Sequence, residues 1–186
     1  MDAVTAAFEA VPRVDFLPAG QRRCASYDGP LAIGHDQTNS QPRTVAAMLR
    51  LLDVRPGMKV LDVGAGSGWT TALLARLTGP TGRVLGVELE PDLVAWGSAN
   101  LDRYGAAWAS IQAAEKGVLG LPDQAPYDRI LVSADPGRHL PAALVDQLGD
   151  PARMVIPVNG VMIRVDRAHN QTTRTEHGYY RFVPLR

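Results

Sequence analysis

The chain has 186 residues, of which 46% are hydrophobic and 20% charged; this suits one soluble domain with a full core and excludes a disordered tail, a collagen-like chain or a coiled coil. Lys plus Arg and Asp plus Glu number 19 each, for a formal net charge of zero, so bulk binding to nucleic acid or to an anionic membrane surface has no electrostatic basis. Cys24 is the single cysteine, which excludes an intrachain disulfide and a cysteine metal cluster and suits a reducing compartment.

No apolar run reaches the roughly 18 residues of a membrane span. The stretch from Met1 to Ala10 carries Asp2 and Glu9 and lacks the basic-then-apolar order of a signal peptide. The expectation is a cytoplasmic monomer with no membrane and no nucleic-acid partner. Ala3 to Val11 reads as a short helix. Pro12 to Gln41 carries Gly and Pro without a sustained period and reads as an ordered loop region, a feature that is often functional at such length. Pro42 then suits a first helical turn, and Val45, Met48, Leu49 and Leu52 follow the stripe of a helix with one buried face.

Lys59 to Val63 is an apolar run expected to form a buried strand. A glycine-rich turn follows from Gly64 to Gly68, then a helix over Thr70 to Leu77 that Gly79 and Pro80 end. Arg83 to Glu88 is the next strand, and Pro91 opens a helix with Leu93, Trp96 and Leu101 as apolar positions. Ala107 to Gln112 and Tyr127 to Ser133 read as further strands, and Pro141 to Leu148 as a helix. Arg153 to Val158 and Val161 to Val165 read as strands joined by the tight-turn pair Asn159-Gly160, and Tyr179 to Val183 as the last strand. Alternating strands and helices predict an α/β fold of the Rossmann-like, doubly wound type, mostly parallel, with an antiparallel C-terminal hairpin.

In such a sheet, ligands bind beyond the carboxyl ends of the strands. The first core strand runs into Asp62-Val63-Gly64-Ala65-Gly66-Ser67-Gly68. Glycines there let the backbone approach a ligand closely, and the next helix offers unpaired N–H groups. Glu88 ends the second strand, where an acid can accept hydrogen bonds from a ribose diol. A dinucleotide fingerprint needs a third small residue that this turn lacks; Trp69 stands next instead. Gly-x-Gly-x-Gly after Val-Leu-Asp resembles motif I of S-adenosylmethionine-dependent methyltransferases. Asp62 either braces the turn or touches the cofactor's amino group. Trp69, Trp96 and Trp108 read as packing residues, His35 as a loop residue and not a base, and His139, His169 and His177 show no metal-ligand spacing, so no metal site is expected.

The segments Val11 to Pro18, Ser26-Tyr27-Asp28 and Leu31 to Pro42, the glycine turn, Pro126-Tyr127-Asp128, Gln147-Leu148, Ile156-Pro157-Val158 and Arg181 to Leu185 together resemble protein-L-isoaspartate O-methyltransferases over nearly the whole chain. The resemblance implies a single methyltransferase domain, with residues 1–41 as a substrate or lid segment and 42–186 as the S-adenosyl-L-methionine-binding core. It implies methyl transfer to the free carboxylate of an isoaspartyl residue in a peptide or protein, followed by collapse to a succinimide. Ser40 matches the family's active-site serine, with Gln37, Thr38 and Asn39 as substrate-side neighbours. Asp62, Gly64, Ala65, Gly66, Ser67, Gly68, Glu88, Leu89, Glu115 and Lys116 fall at cofactor positions.

From local sequence alone Ser40 reads as a helix cap before it reads as a functional group; the whole Gln37 to Pro42 block tips the reading to function. A hydroxyl there can orient the acceptor carboxylate; no acid–histidine pair beside it suggests a nucleophile. Three positions depart from the family. Glu115-Lys116-Gly117 replaces Gly-Asp-Gly, and Lys116 has donors only, so it cannot accept from the adenine amine. Asn39 replaces an aliphatic residue and is expected to put a polar group beside the acceptor pocket. Gly149-Asp150-Pro151-Ala152 replaces a Gly-Gly turn. These departures motivate one alternative within the class, a relative that esterifies an aspartate in one dedicated peptide; further alternatives are a small-molecule or RNA methyltransferase, with zero net charge counting against RNA, and a cofactor-binding protein without catalysis.

Overall fold

The computed structural model describes residues 2–186. Its centre is a seven-stranded sheet of β3 (Lys59–Val63), β4 (Arg83–Glu88), β5 (Ala109–Ala113), β6 (Tyr127–Val132), β7 (Leu148–Val158), β8 (Val161–Ala168) and β9 (Gln171–Tyr179), in the spatial order β5-β4-β3-β6-β7-β8-β9. β3 to β7 run parallel, and β8 and β9 are antiparallel additions. The chain moves outward from β3 through β4 to β5, then returns to the other side of β3 as β6. That reversal opens a crevice at the carboxyl ends of β3 and β6, where an open parallel sheet binds its ligand.

The strands are apolar on both faces because both are covered. Val60 and Val84 pack on one face with helices α1 (Ala3–Ala10), α2 (Pro42–Leu52) and α3 (Trp69–Thr78). Leu61, Val63, Leu85 and Val87 pack on the other, covered by the short α5 (Ala142–Val145) and by irregular segments around Leu119, Leu121 and Leu140. Helix α4 (Pro91–Asp102) flanks β5, with Leu101 in the first of these clusters. Asp2 caps α1 by accepting from the Thr5 amide at 2.8 Å. Pro42 sits at the start of α2, whose buried stripe is Thr44, Val45, Met48, Leu49 and Leu52. Helix α3 is buried on nearly every side, which is why it shows no amphipathic stripe in the sequence.

Three sequence expectations change. Pro12 to Gln41 is not a plain loop: it holds 3₁₀ turns at Arg13–Phe16 and Ala19–Cys24 and a small hairpin of β1 (Leu31–Gly34) and β2 (Gln37–Asn39). The helix expected over Pro141 to Leu148 is confined to Ala142–Val145, because Leu148 already pairs with Tyr127 at the start of β7. The last strand is Gln171–Tyr179 and not Tyr179 to Val183. β9 pairs only with β8 and leaves both faces in solvent, so its side chains carry no apolar alternation.

Two aspartates clasp the C-terminal hairpins. Asp135 accepts from the amides of Asn159 (2.9 Å) and Gly160 (2.8 Å) in the β7–β8 turn. Asp150 accepts from His169 (2.9 Å) and Asn170 (2.6 Å) in the β8–β9 turn. Gly149 to Ala152 thus stands inside an irregular stretch of β7 and fixes the next hairpin.

Candidate active site

A cavity open to solvent lies at the carboxyl ends of the central strands, with about 870 Å³ of empty space counted out to its open mouth. Its floor is built by Val63, Val87 and Ser133 where β3, β4 and β6 end, and by the glycine turn. Gly64, Ala65, Gly66, Ser67, Glu88 and Leu89 line it, and Gln37, Thr38, Asn39 and Ser40 line the facing wall. Four other expected residues do not. Asp62 lies fully buried beneath the turn. Gly68 is the N-terminal cap of α3 at φ 88°, packed so tightly that a Cβ would stand 2.8 Å from the Gly97 carbonyl. Glu115 and Lys116 are exposed on the turn after β5; Ala114, Val118, Leu119 and Gly120 line the cavity there instead.

The turn is held from three sides. The Gly66 amide donates to Glu88 Oε2 at 2.8 Å, an approach available because Gly66 adopts φ 54°. Glu88 Oε1 accepts from the amides of Leu89 (2.7 Å) and Glu90 (3.0 Å). A carboxylate offers about four acceptor positions, so Glu88 keeps capacity for a ligand hydroxyl. The Ser67 carbonyl accepts from Asn100 Nδ2 on α4 at 2.9 Å. Below, Asp62 Oδ2 accepts from the hydroxyls of Thr70 (2.8 Å) and Thr71 (2.7 Å), which supports the bracing alternative for Asp62. Asp62 Oδ1 is buried without a partner among the described residues. Desolvation pushes the Asp62 carboxyl up to about 6, the two threonine hydroxyls oppose that rise, and nearby Glu88 adds to it.

The facing wall hangs on Arg13, a residue the sequence reading placed only within a family segment. Arg13 is buried among neutral acceptors. Its Nη1 donates to the Tyr27 carbonyl (2.8 Å), and its Nη2 to the carbonyls of Gly29 (2.8 Å), Asn39 (2.9 Å) and Ser40 (3.0 Å). Its Nε donates to Asn39 Oδ1 at 2.7 Å. The guanidinium lies 5.6 Å from the centre of the Trp69 ring, a cation–π distance, and burial draws its pKa down from the ordinary value. Trp69 is therefore more than packing: its indole N–H donates to the Val11 carbonyl at 3.1 Å and its ring meets Phe8 edge-on at 5.3 Å, tying the N-terminal segment to the start of α3.

Asn39 also departs from expectation. Its amide is buried and faces inward, with Oδ1 accepting from Arg13 Nε and Nδ2 donating to Ser67 Oγ at 3.2 Å, so its polar group ties the wall to the turn before it serves an acceptor. Ser40 is not the helix cap, since Gln41 occupies that position. The β1–β2 turn carries His35 and Asp36 in left-handed conformation and sets His35 Nε2 3.3 Å from Asp92 and Nδ1 3.7 Å from Glu90. Arg186 reaches Glu90 from the chain's last segment at 2.6 Å. Val183, Pro184, Leu185 and Arg186 line the cavity; in the sequence Val183 falls at the end of an expected strand and the three residues after it carry no site signal. Asp135 holds this segment through Asp135 N–H to Val183 O and Leu185 N–H to Asp135 O, each at 2.8 Å.

The residues present fit S-adenosyl-L-methionine. An orphaned carboxylate oxygen lies under the glycine turn, a second carboxylate lines the cavity, and the wall at Leu89, Ala114, Val118, Leu119 and Gly120 is apolar. That combination suits a ligand with cationic centres, a ribose diol and a flat base.

Comparisons with known proteins agree with this geometry. The family model of Protein-L-isoaspartate(D-aspartate) O-methyltransferase (PCMT) matches residues 1–186. A Protein-L-isoaspartate O-methyltransferase of Methanocella arvoryzae is 43% identical over 180 residues, covering 95% of this chain and 95% of the relative. One of Methanopyrus kandleri is 42% identical over 187 residues, covering 98% of this chain and 82% of the relative. A Plasmodium falciparum structure described as a protein-L-isoaspartate O-methyltransferase, in complex with S-adenosyl-L-homocysteine, superposes with a TM-score of 0.88 at 25% identity, covering 100% of this chain and 91% of that one. Another solved protein-L-isoaspartate O-methyltransferase also gives a TM-score of 0.88; at 24% identity it shares the fold, and this chain spans 61% of its length. The chain belongs to the protein-L-isoaspartate(D-aspartate) O-methyltransferase family.

Proposed function

We propose that the protein transfers the methyl group of S-adenosyl-L-methionine to the free carboxylate of an L-isoaspartyl residue in peptides or proteins, so that the ester collapses to a succinimide and part of the chain returns to normal aspartate. The observation that carries this reading is the placing of Gln37 to Ser40 and the glycine turn with Glu88 on facing walls of one cavity, in a chain that the family matches from end to end. When bound, the cofactor supplies an electrophilic sulfonium methyl. The chain's own residues position and shield. Glu88 and the turn backbone hold the ribose and the amino-acid part. Leu89, Ala114 and Val118 to Gly120 form an apolar slot for the base.

The acceptor carboxylate is already ionised near pH 7, so the reaction needs alignment and exclusion of water more than a base. Ser40 orients that carboxylate by donating its hydroxyl hydrogen, while its own carbonyl is fixed by Arg13. The test is mass spectrometry of matched isoaspartyl and aspartyl peptides with labelled cofactor. Ester formation on the isoaspartyl peptide alone is expected. Ester on the aspartyl peptide alone would overturn the repair reading in favour of a dedicated aspartyl substrate. Cofactor binding with no ester on either would mark a protein without catalysis.

A further inference from the structure

The two walls of the cavity are joined by one buried side chain. Asn39 is 4% exposed and Ser67 2%. Arg13 has donors only, so the Asn39 carbonyl oxygen must face Arg13 Nε (2.7 Å) and its NH₂ must face Ser67 Oγ (3.2 Å). The amide orientation is thereby fixed. Arg13 also donates to the carbonyls of Asn39 and Ser40, so the acceptor-side segment is tied to Arg13 at its base and to the turn through Asn39. On its far side Ser67 is anchored to α4 through Asn100. An aliphatic side chain at position 39 would fill the same space and leave Arg13 Nε and Ser67 Oγ without this link.

We infer that Asn39 is a positioning residue that makes methyl-donor binding and acceptor-peptide binding cooperative, through its hydrogen bonds to Arg13 and Ser67. The inference rests on the methyltransferase reading of the cavity. A donor that settles on the turn restrains Ser67, and through Asn39 it restrains the Gln37 to Ser40 wall before the peptide arrives. The peptide then pays less of the ordering cost. By linkage the peptide tightens donor binding by the same factor.

The test is isothermal titration of S-adenosyl-L-homocysteine with and without a saturating isoaspartyl peptide. The pair is unreactive because the demethylated product has no methyl to transfer. In the wild type the peptide is expected to tighten product binding about fivefold or more. In Asn39→Val this ratio falls to within about twofold of one. Ser67→Ala, which removes the same bond from the other wall, gives the same fall, and the double variant falls no further. A purely structural role for Asn39 would weaken binding with and without peptide alike and keep the ratio.

A wild-type ratio of one, or an unchanged ratio in both variants, overturns the inference. If only a matched aspartyl peptide binds, the substrate reading fails and the ratio is read with that peptide, where the same outcomes decide. If the product does not bind the wild type at all, the cofactor reading fails and the inference falls with it.

Discussion

Glu88 Oε2 accepts the Gly66 amide at 2.8 Å, so the acid at the end of β4 holds the glycine turn as well as facing the cavity. Removing it costs two things: a brace for the turn and an acceptor for the ribose. Glu88→Ala is therefore expected to weaken S-adenosyl-L-homocysteine binding by at least about tenfold, the scale of a lost hydrogen bond to a charged group. Glu88→Gln keeps one acceptor oxygen and is expected to lose less. Titration calorimetry of both variants checks this; equal affinity in the wild type and Glu88→Ala would remove Glu88 from the binding site.

Asp62 gives a pH signature. Its folded pKa stands at about 6 against an ordinary 3.8, so between those values the folded state holds a proton that the unfolded state has lost. Stability therefore falls as pH rises through this window and levels off above it, by up to ~3 kcal/mol. Asp62→Asn has no charge to bury. The variant's melting temperature should gain on that of the wild type between about pH 4 and 6.5 and run parallel to it at higher pH. A melting-temperature difference that does not change with pH would show that Asp62 is not the titrating group.

Ser40 separates binding from turnover. Its hydroxyl acts on the acceptor, and among the described residues no hydrogen bond links that hydroxyl to the turn. Ser40→Ala is expected to lower kcat with the isoaspartyl peptide by about tenfold or more and to leave cofactor affinity within about twofold. Single-turnover kinetics beside product titration read both numbers. A loss of cofactor affinity equal to the loss of turnover would move Ser40 to the cofactor side.

The turn and the strand-end acid were legible because both are local: glycine, strand and acid recur at fixed places along one chain segment. The facing wall was legible only as a family block, since nothing in Gln37 to Ser40 shows which groups Arg13 will grip across 26 positions. Glu115 and Lys116 were misplaced by a single turn, where the backbone puts Ala114 and Val118 into the cavity and turns the charged pair outward. The tail from Val183 to Arg186 was hidden by its own composition. The expected strand over Tyr179 to Val183 ends where the tail begins, Pro184 to Arg186 carry no pattern of their own, and only the pairing of Asp135 with Val183 and Leu185 shows that the tail covers the site.

Asp135 decides whether that covering depends on side chains. Its carboxylate serves Gly137, Asn159 and Gly160, all in turns, whereas the tail is held by the Asp135 backbone. Asp135→Ala removes the turn clasp and leaves the tail contacts in place. Three partly solvated hydrogen bonds are lost, for about 1–2 kcal/mol net, which at this chain length lowers the melting temperature by about 3–6 °C. Cofactor affinity should stay within about threefold, since the cavity wall keeps its backbone anchors. Thermal melts and product titration on the same sample test the division. A large fall in affinity with a small fall in melting temperature would mean that the β7–β8 turn, and not the backbone pairing, holds the tail over the site.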